Sequence, residues 1–501
     1  MNNVFDLKKF NKLVKVMTYL INQDAKFVLI GINWTQVIRY HPEYIKSYLL
    51  LYKSQSYFIF NFSLRLFKFI FLIIKNLILS LFLFKRNLVT LKKTDIIIIS
   101  HFINKDQVDL EKDLYFGGIS DFFSEKKIKG IFFLHNHTSL SVKNIEDSWQ
   151  INNFPRYASS SCLALRDEIN IIFKGIKICW NFLLKFKNKN ALIDRVQILT
   201  GVEAISPASL KAQRFTKELG DIIKATQPKV VFFTFEGHSW ERLIIKKIKS
   251  INKNIICTGY VHTMVFPNQH ASLVNYKKSF MPDNIFVSGE MTKAIFDKKL
   301  FNTIPVVVLG SDKIIQNKIK KKNEVETNIL ILPEGFVSET NLLFNFGIDL
   351  ARNIQNLKVR IRLHPNMEGS KAKFMKLINK EGLLNIKVSN GSLNEDFLWS
   401  SHALYRGSTS IIEALSNGIL PIYYSRKNEP IIDPLFMKKD RKYYVENVKD
   451  VVELFMRWGK KSHEEKIKYK QDNIIYSKEI LEPLKPKVLE LFYKQNLEIK
   501  K

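Results

Sequence analysis

From Asp95 onward the sequence repeats one pattern: a short run of apolar residues, a break rich in Gly and hydroxyl side chains, then a helical stretch. Apolar runs of this length are what interior strands of a parallel sheet require, because helices cover both of their faces. Candidate strands are Asp95–Ser100, Gly130–Leu134, Lys229–Phe235, Asn254–Tyr260, Asn284–Ser288 and Pro305–Leu309. Helical patterns fill Ser161–Lys187 and Ser209–Ala225. A Lys-rich, strand-free stretch follows. The alternation then restarts at Asn328–Leu332, Lys358–Leu363, Asn385–Val388, Ala403–Tyr405 and Ile419–Tyr424. Strands alternating with helices imply a doubly wound α/β sheet, and the interruption implies two of them. The expected division is 1–94 helical, 95–312 a first Rossmann-like unit, 313–327 a linker, 328–440 a second such unit, and 441–501 C-terminal helices. Ligands of open α/β sheets bind beyond the carboxyl ends of the strands, so the two units should face a shared cleft.

The richest of these ends is RGSTSIIEALSNGILPIYY, Arg406–Tyr424. Arg406, Gly407, Ser408, Thr409 and Ser410 supply a Gly hinge, hydroxyls and free backbone N–H groups at a helix start, where an anion is best held. Glu413 adds a carboxylate free to accept hydrogen bonds from hydroxyls. An ordinary βα loop whose Ser and Thr merely cap the helix would read the same way. Three further ends carry chemistry. VVFFTFEGHSWERL puts Glu236, Gly237, His238 and Trp240 straight after a strand, and burial against the apolar run would raise the Glu236 pKa and make it a usable base. Charging the start of the following helix is the alternative role. CTGYVHTMVFP places His262 where another strand ends. VRIRLHPN ends with Arg362, His364 and Pro365, the proline fixing the turn, and ILPEG puts Glu334 beside the same mouth.

The N-terminal region is of another kind. Tyr57–Phe84 is almost continuously apolar and long enough for a bilayer, which takes about 20 residues. Arg65, Lys68 and Lys75 fall near one line at helical spacing with Asn61 and Asn76, and basic residues flank both ends. That pattern favours a helix lying in the membrane interface over one that spans. The 501 residues carry 78 Lys and Arg against 47 Asp and Glu, a net charge of +31. Such a charge suits anionic lipid or phosphorylated substrates. With neither a zinc knuckle nor an aromatic-plus-basic RNA motif, a nucleic-acid partner is not expected. Cys162, Cys179 and Cys257 lack metal-ligand spacing and point to free thiols in a reducing compartment.

The ordered set FEG (Phe235–Gly237), His364–Pro365 and Thr409–Ser410 is similar to the pattern of bacterial sialyltransferases and related capsule glycosyltransferases of the GT-B fold. With YFG near Tyr115, GYVHT, MPDNIFVSGE, LPEG and IIDPL, the stretch Asp95–Phe436 resembles the bacterial surface carbohydrate biosynthesis proteins. The resemblance implies a GT-B-like pair of Rossmann-like domains facing a cleft, with an N-terminal membrane-associated extension. It implies an inverting transfer from a nucleotide sugar, CMP-activated and acidic by preference, to a surface polysaccharide or lipid-linked glycan at the cytoplasmic face of the inner membrane. Glu236 would match the general base, His364 the donor-nucleotide histidine, Ser408, Thr409 and Ser410 the phosphate-binding hydroxyls, and Glu413 the ribose-binding acid. Phe235 stands where the motif usually has a second acid, so His238, Glu241 and His262 remain alternative bases. The absence of an Asp-x-Asp between the units argues for no metal and no cofactor beyond the sugar nucleotide. A teichoic-acid-type polyol-phosphate transferase working through His262 and His364, or a non-catalytic assembly factor on the same fold, are the alternatives.

Overall fold

The computed structural model describes residues 7–23, 41–42, 49–81, 91–110, 112–138, 140–148, 154–160, 162–184, 192–266, 270–273, 276–300, 303–312, 327–427, 429, 431–438, 440 and 443–498. Two parallel sheets organise the chain. The first comprises β1 (Ile96–Phe102), β2 (Gly130–Asn136), β3 (Arg156–Ala158), β4 (Val230–Thr234), β5 (Ile256–Val261), β6 (Asn284–Val287) and β7 (Val306–Val308), in the order β3-β2-β1-β4-β5-β6-β7. The second comprises β8 (Asn328–Leu332), β9 (Lys358–Ile361), β10 (Ile386–Val388), β11 (His402–Tyr405), β12 (Leu420–Tyr424) and β13 (Tyr444–Val445), in the order β10-β9-β8-β11-β12-β13. This is the GT-B-like architecture of two doubly wound domains.

Apolar content explains why these runs became central strands. Ile96–Ile99 of β1 and Ile329–Ile331 of β8 are wholly inaccessible, their side chains alternating between helices on the two faces of each sheet. Each such side chain contributes about 1.5–3 kcal/mol on burial. Two short strands escaped the sequence pattern. Arg156–Ala158 has no apolar run, and Tyr444–Val445 extends the second sheet past residue 440, where that unit was expected to end. The helix Val448–Gly459 packs on the same domain through Val451, Leu454 and Phe455. The expected linker 313–327 lies outside the described residues except for its last position.

In each sheet the winding direction reverses once: between β1 and β4 in the first, between β8 and β11 in the second. A crevice opens at such a reversal because the flanking loops leave toward opposite faces. The two domains are tied by the C-terminal tail. Its helix His463–Ile480 lies against Ser410–Ser416 of the second domain, and the chain then crosses to the first, where Ser311 N–H donates to the Glu482 carbonyl at 2.7 Å. Leu489, Phe492 and Leu497 end in the core beneath β1, β2 and β4.

The helix Gln55–Ser80 realises the first 24 residues of the apolar stretch expected at 57–84, and residues 82–84 lie outside the described ones. Phe58 and Phe69 are buried, and Phe62, Leu66 and Ile73 pack on the same side, against helices Leu165–Leu183 and Leu192–Glu203. The expectation of one polar stripe along this helix needs correction. Arg65 turns toward the protein, its Nη1 2.7 Å from Glu203 Oε1, while Lys68 and Lys75 remain exposed.

Candidate functional site

On the first domain, the loop after β4 is fixed by one buried carboxylate. Glu241, at the third position of the helix Ser239–Ile251, accepts the backbone N–H groups of Glu236, Gly237 and His238 at 2.9, 2.8 and 2.9 Å. The His238 N–H is the N-cap donor of a capping box, and the other two belong to the loop just before it, so the loop and the helix share a single anchor. Burial pushes the Glu241 carboxyl up to about 7, against the pull of His238 and the backbone N–H groups. Fully enclosed and committed to the backbone, Glu241 is the fastening of the loop and not the alternative base. Gly237 takes φ +84°, and a Cβ there would collide with the backbone at Ala271 and Ser272.

The loop presents Glu236. Its Oε2 lies 3.2 Å from His238 Nε2, and its Oε1 lies 3.8 Å from Nε2 of His262 at the end of β5. Tyr115 sets its ring edge-on to His262, with centroids 4.8 Å apart. Burial, then the charges of Glu236 and Asp113, raise the Tyr115 phenol, which therefore stays protonated. The expected trio Glu236, His238 and His262 thus comes together at one mouth.

Three histidines that sequence reasoning passed over meet beside it. His101 on β1 is the register partner of His135 on β2, and His137 follows two residues later on the same face. His101 Nδ1 lies 3.0 Å from His137 Nε2, and its Nε2 lies 2.9 Å from Thr234 Oγ1 on β4. Burial, then the neighbouring His137, hold His101 down at about 3, and burial, then His137, hold His135 well below the usual imidazole value. Neutral imidazoles are the metal-ligating form. The one signal in the sequence was the HNH spacing of His135 and His137, alternate residues at the end of a strand, while His101 joins only through sheet pairing.

On the second domain, Leu332 pairs with Tyr405 in the β8–β11 ladder, so the residues two further on, Glu334 and Gly407, meet across the reversal. A Cβ on Gly407 would fall on the Glu334 carboxylate, so only glycine permits this approach. Gly335 has the same relation to the His364 ring. His364 Nδ1 accepts the Asn366 N–H at 3.2 Å, so the neutral ring carries its proton on Nε2 as a donor. Burial lowers the His364 pKa, partly offset by Glu334. Pro365 opens the short helical turn after it. Ser408, Thr409 and Ser410 lead into the helix Ser410–Ser416, with Glu413 in its first turn. His41 was not singled out from the sequence, yet its Nε2 lies 3.1 Å from Glu334 Oε2 and its ring packs on Phe336.

Two arginines expected at the donor mouth do not face it. Arg406 is 1% exposed and spans two carboxylates, with Nη1 3.2 Å from Glu339 Oε2 and Nη2 2.8 Å from Glu429 Oε2. Arg362, with Arg360, pairs with the buried Asp396, its Nη1 3.0 Å from Oδ2. A buried carboxylate captures the nearest guanidinium, because an unpaired charge there would be far more costly than the lost ligand contact. The Asp of IIDPL is likewise structural: Asp433 accepts the hydroxyls of Tyr405, Tyr443 and Tyr444 at 2.7, 3.0 and 2.8 Å. The two mouths share a boundary. Met264, two residues past His262, is buried in the cluster that includes Leu332, Tyr405 and Ile411 of the second domain.

No family model matches the chain, and no curated protein matches it in sequence. Solved structures with a similar backbone include a glycosyltransferase from Rickettsia africae, at 11% identity over 81% of this chain and 99% of that one, TM-score 0.46. Another is MurG of Acinetobacter baumannii, at 10% identity over 80% and 99%, TM-score 0.45. A third is a putative UDP-N-acetylglucosamine 2-epimerase from Listeria monocytogenes, at 9% identity over 80% and 96%, TM-score 0.47. What the chain can do chemically rests on its own side chains.

Proposed function

We propose that this chain is an inverting glycosyltransferase that works at a membrane surface and takes its sugar from a nucleotide-activated donor. The observation that carries the reading is the position of its polar side chains at both sheet reversals. A carboxylate flanked by imidazoles stands at one, and a Gly-permitted pocket of carboxylate, imidazole and hydroxyls at the other.

The acceptor binds on the first domain with its hydroxyl at Glu236, which takes the proton as the oxygen attacks the anomeric carbon. The bond from that carbon to the nucleotide phosphate breaks, and configuration inverts. His238 and His262 hold the Glu236 carboxylate in place. On the donor side the departing phosphate meets the hydroxyls and N–H groups of Gly407–Ser410 and the Nε2–H of His364. Donors placed where charge develops are worth about 3 kcal/mol each. Glu413 and Glu334 accept hydroxyls of the nucleoside. Arg406 holds the loop from beneath. The resemblance of His364–Pro365 to the sialyltransferase motif favours a CMP-activated acidic sugar, and the acceptor is a surface polysaccharide or lipid-linked glycan.

Membrane association is supported by an apolar face built from two helices. Phe60, Phe67, Phe71, Ile74 and Ile78 are exposed along Gln55–Ser80, and Ile169, Phe173, Ile176 and Trp180 along Leu165–Leu183, which packs beside it. Lys68 and Lys75 are exposed on the first helix. An apolar face accompanied by lysines suits an anionic leaflet, with the protein peripheral or monotopic at the cytoplasmic side of the inner membrane.

The test is a thermal-shift screen with CMP, CDP, UDP and GDP, followed by transfer of labelled sugar or polyol phosphate to lipid-linked acceptors. Stabilisation by a nucleotide and sugar transfer that is lost in Glu236→Gln are expected. Transfer of polyol phosphate that survives Glu236→Gln but not His262→Ala would replace this reading with the phosphotransferase.

A further inference from the structure

We propose that His101, His135 and His137 form a binding site for a divalent transition-metal ion of the zinc type at the mouth of the first sheet. The site goes beyond the transferase reading and does not depend on it. One ligand atom from each of the three rings lies within 4.8 Å of the others. Two nitrogens bound to one tetrahedral zinc, at about 2.05 Å each, are separated by about 3.3 Å. His101 Nδ1 and His137 Nε2 stand 3.0 Å apart, close to that spacing.

The second observation is independent of the first. His135 is 6% exposed, and both of its ring nitrogens are buried with no hydrogen-bond partner. Its ring is well packed, on Phe215 at 4.6 Å and Trp240 at 5.6 Å between centroids. Aromatic packing accounts for the carbon face of an imidazole but leaves its N–H donor and its lone pair unmet, and buried polar atoms of this kind call for a partner. A metal ion takes the lone pair. His101 has the orienting contact that metal-binding imidazoles usually have, since its Nε2 meets Thr234 Oγ1 at 2.9 Å while Nδ1 faces His137.

The local charge is mixed. The Glu236 carboxylate favours positive charge at His101, while the Lys211 ammonium, which donates to the Asn136 carbonyl at 2.8 Å, opposes it. Three nitrogen ligands leave a tetrahedral ion at least one open position, the arrangement of sites that bind an exogenous oxygen such as water, hydroxyl or phosphate. That position would belong to the acceptor pocket beside Glu236.

The experiment uses the full chain, freed of any affinity tag, stripped by chelator dialysis and titrated with Zn(II) and Co(II). One equivalent bound per chain, a rise in thermal midpoint with Zn(II), and the visible bands of a nitrogen-ligated Co(II) ion are expected. His137→Asn, at an exposed position, and His101→Asn should each weaken binding at least tenfold with the fold intact by circular dichroism. His463→Asn, distant in sequence and on a C-terminal helix, should bind as the parent does. Less than one equivalent bound, or binding unchanged in both His137→Asn and His101→Asn, overturns the proposal. Neither readout requires sugar transfer, so an inactive protein that holds the metal leaves this site standing and removes only the transferase reading.

Discussion

Glu236 Oε2 lies 3.2 Å from His238 Nε2, on a loop whose three successive N–H groups are clamped by the wholly buried Glu241. The clamp separates position from chemistry: Glu241 sets where the loop sits, and Glu236 stays partly exposed to meet a substrate. Glu236→Gln should therefore lower the turnover of sugar transfer by about 10²–10⁴-fold, the range for loss of a general base. Nucleotide affinity and thermal midpoint should stay near the parent's. Glu241→Gln should instead lower the midpoint as well, because the amide cannot accept the same three bonds. Equal stability loss in both variants, with no separate effect on turnover, would remove Glu236 from the chemistry.

Arg406 gives a second separation. Since its guanidinium is enclosed between Glu339 and Glu429, replacing it with Met leaves Glu339 buried without its cation. Breaking a buried pair from one side costs about 3–5 kcal/mol. Arg406→Met should lower the unfolding midpoint strongly, and Arg406→Met combined with Glu339→Leu should recover part of the loss. A variant of normal stability whose donor KM alone rises would mean that the arginine reaches the phosphate after all.

These two cases also show what the sequence could convey. Strand runs such as Ile96–Ile99 are self-announcing, because burial on both faces demands unbroken apolar character, and the residues following each run fall at the carboxyl ends by topology alone. Glu236, His238, His262, Glu334 and His364 were accessible in that way. The direction of a long side chain was not, because it depends on which buried carboxylate lies nearest in space, and Glu339 and Asp396 are distant in sequence from Arg406 and Arg362. His101 and His41 were illegible for a related reason: their partners arrive through sheet pairing or from another domain. The strand Tyr444–Val445 is too short to carry a period, and Arg156–Ala158 has no apolar run.

His402 predicts an acid limit. It begins β11, is 3% exposed, and packs on Phe455 and Trp458, with Ser401 Oγ 3.0 Å from Nδ1. Burial, then the charge of Lys470, lower its pKa from 6.5 to about 3. The folded state therefore binds fewer protons than the unfolded state between these values. The stability it contributes is complete above about 6.5 and drains as pH falls toward 3, by about 1.4 kcal/mol per pH unit. Unfolding by urea at pH 7 and pH 5 should show this loss in the parent and a smaller one in His402→Leu. An identical pH dependence in the two would show that this ring is not the group responsible.

The apolar helix Gln55–Ser80 yields a prediction about how the protein meets a bilayer. Phe67 and Phe71 are 75% and 62% exposed, and Phe173 and Trp180 on the neighbouring helix are 67% and 62% exposed. Inserting one such ring into the interface is worth up to about 1.5–3 kcal/mol. Phe67→Ser with Phe71→Ser should then reduce co-sedimentation with anionic vesicles by at least about tenfold. Lys68→Gln with Lys75→Gln should remove chiefly the salt-sensitive part, at about 1 kcal/mol for each lysine. Phe173→Ser with Trp180→Ser distinguishes the two orientations. In an in-plane arrangement both helices touch lipid and this pair matters too. A helix that crossed the bilayer would have to abandon the Arg65–Glu203 pair and the packing of Phe58 and Phe69, and its insertion would be indifferent to Phe173 and Trp180. Release from vesicles by high salt and carbonate, together with sensitivity to the second helix, is the expected result. Retention until detergent is added, unaffected by Phe173→Ser and Trp180→Ser, would mean that the helix spans.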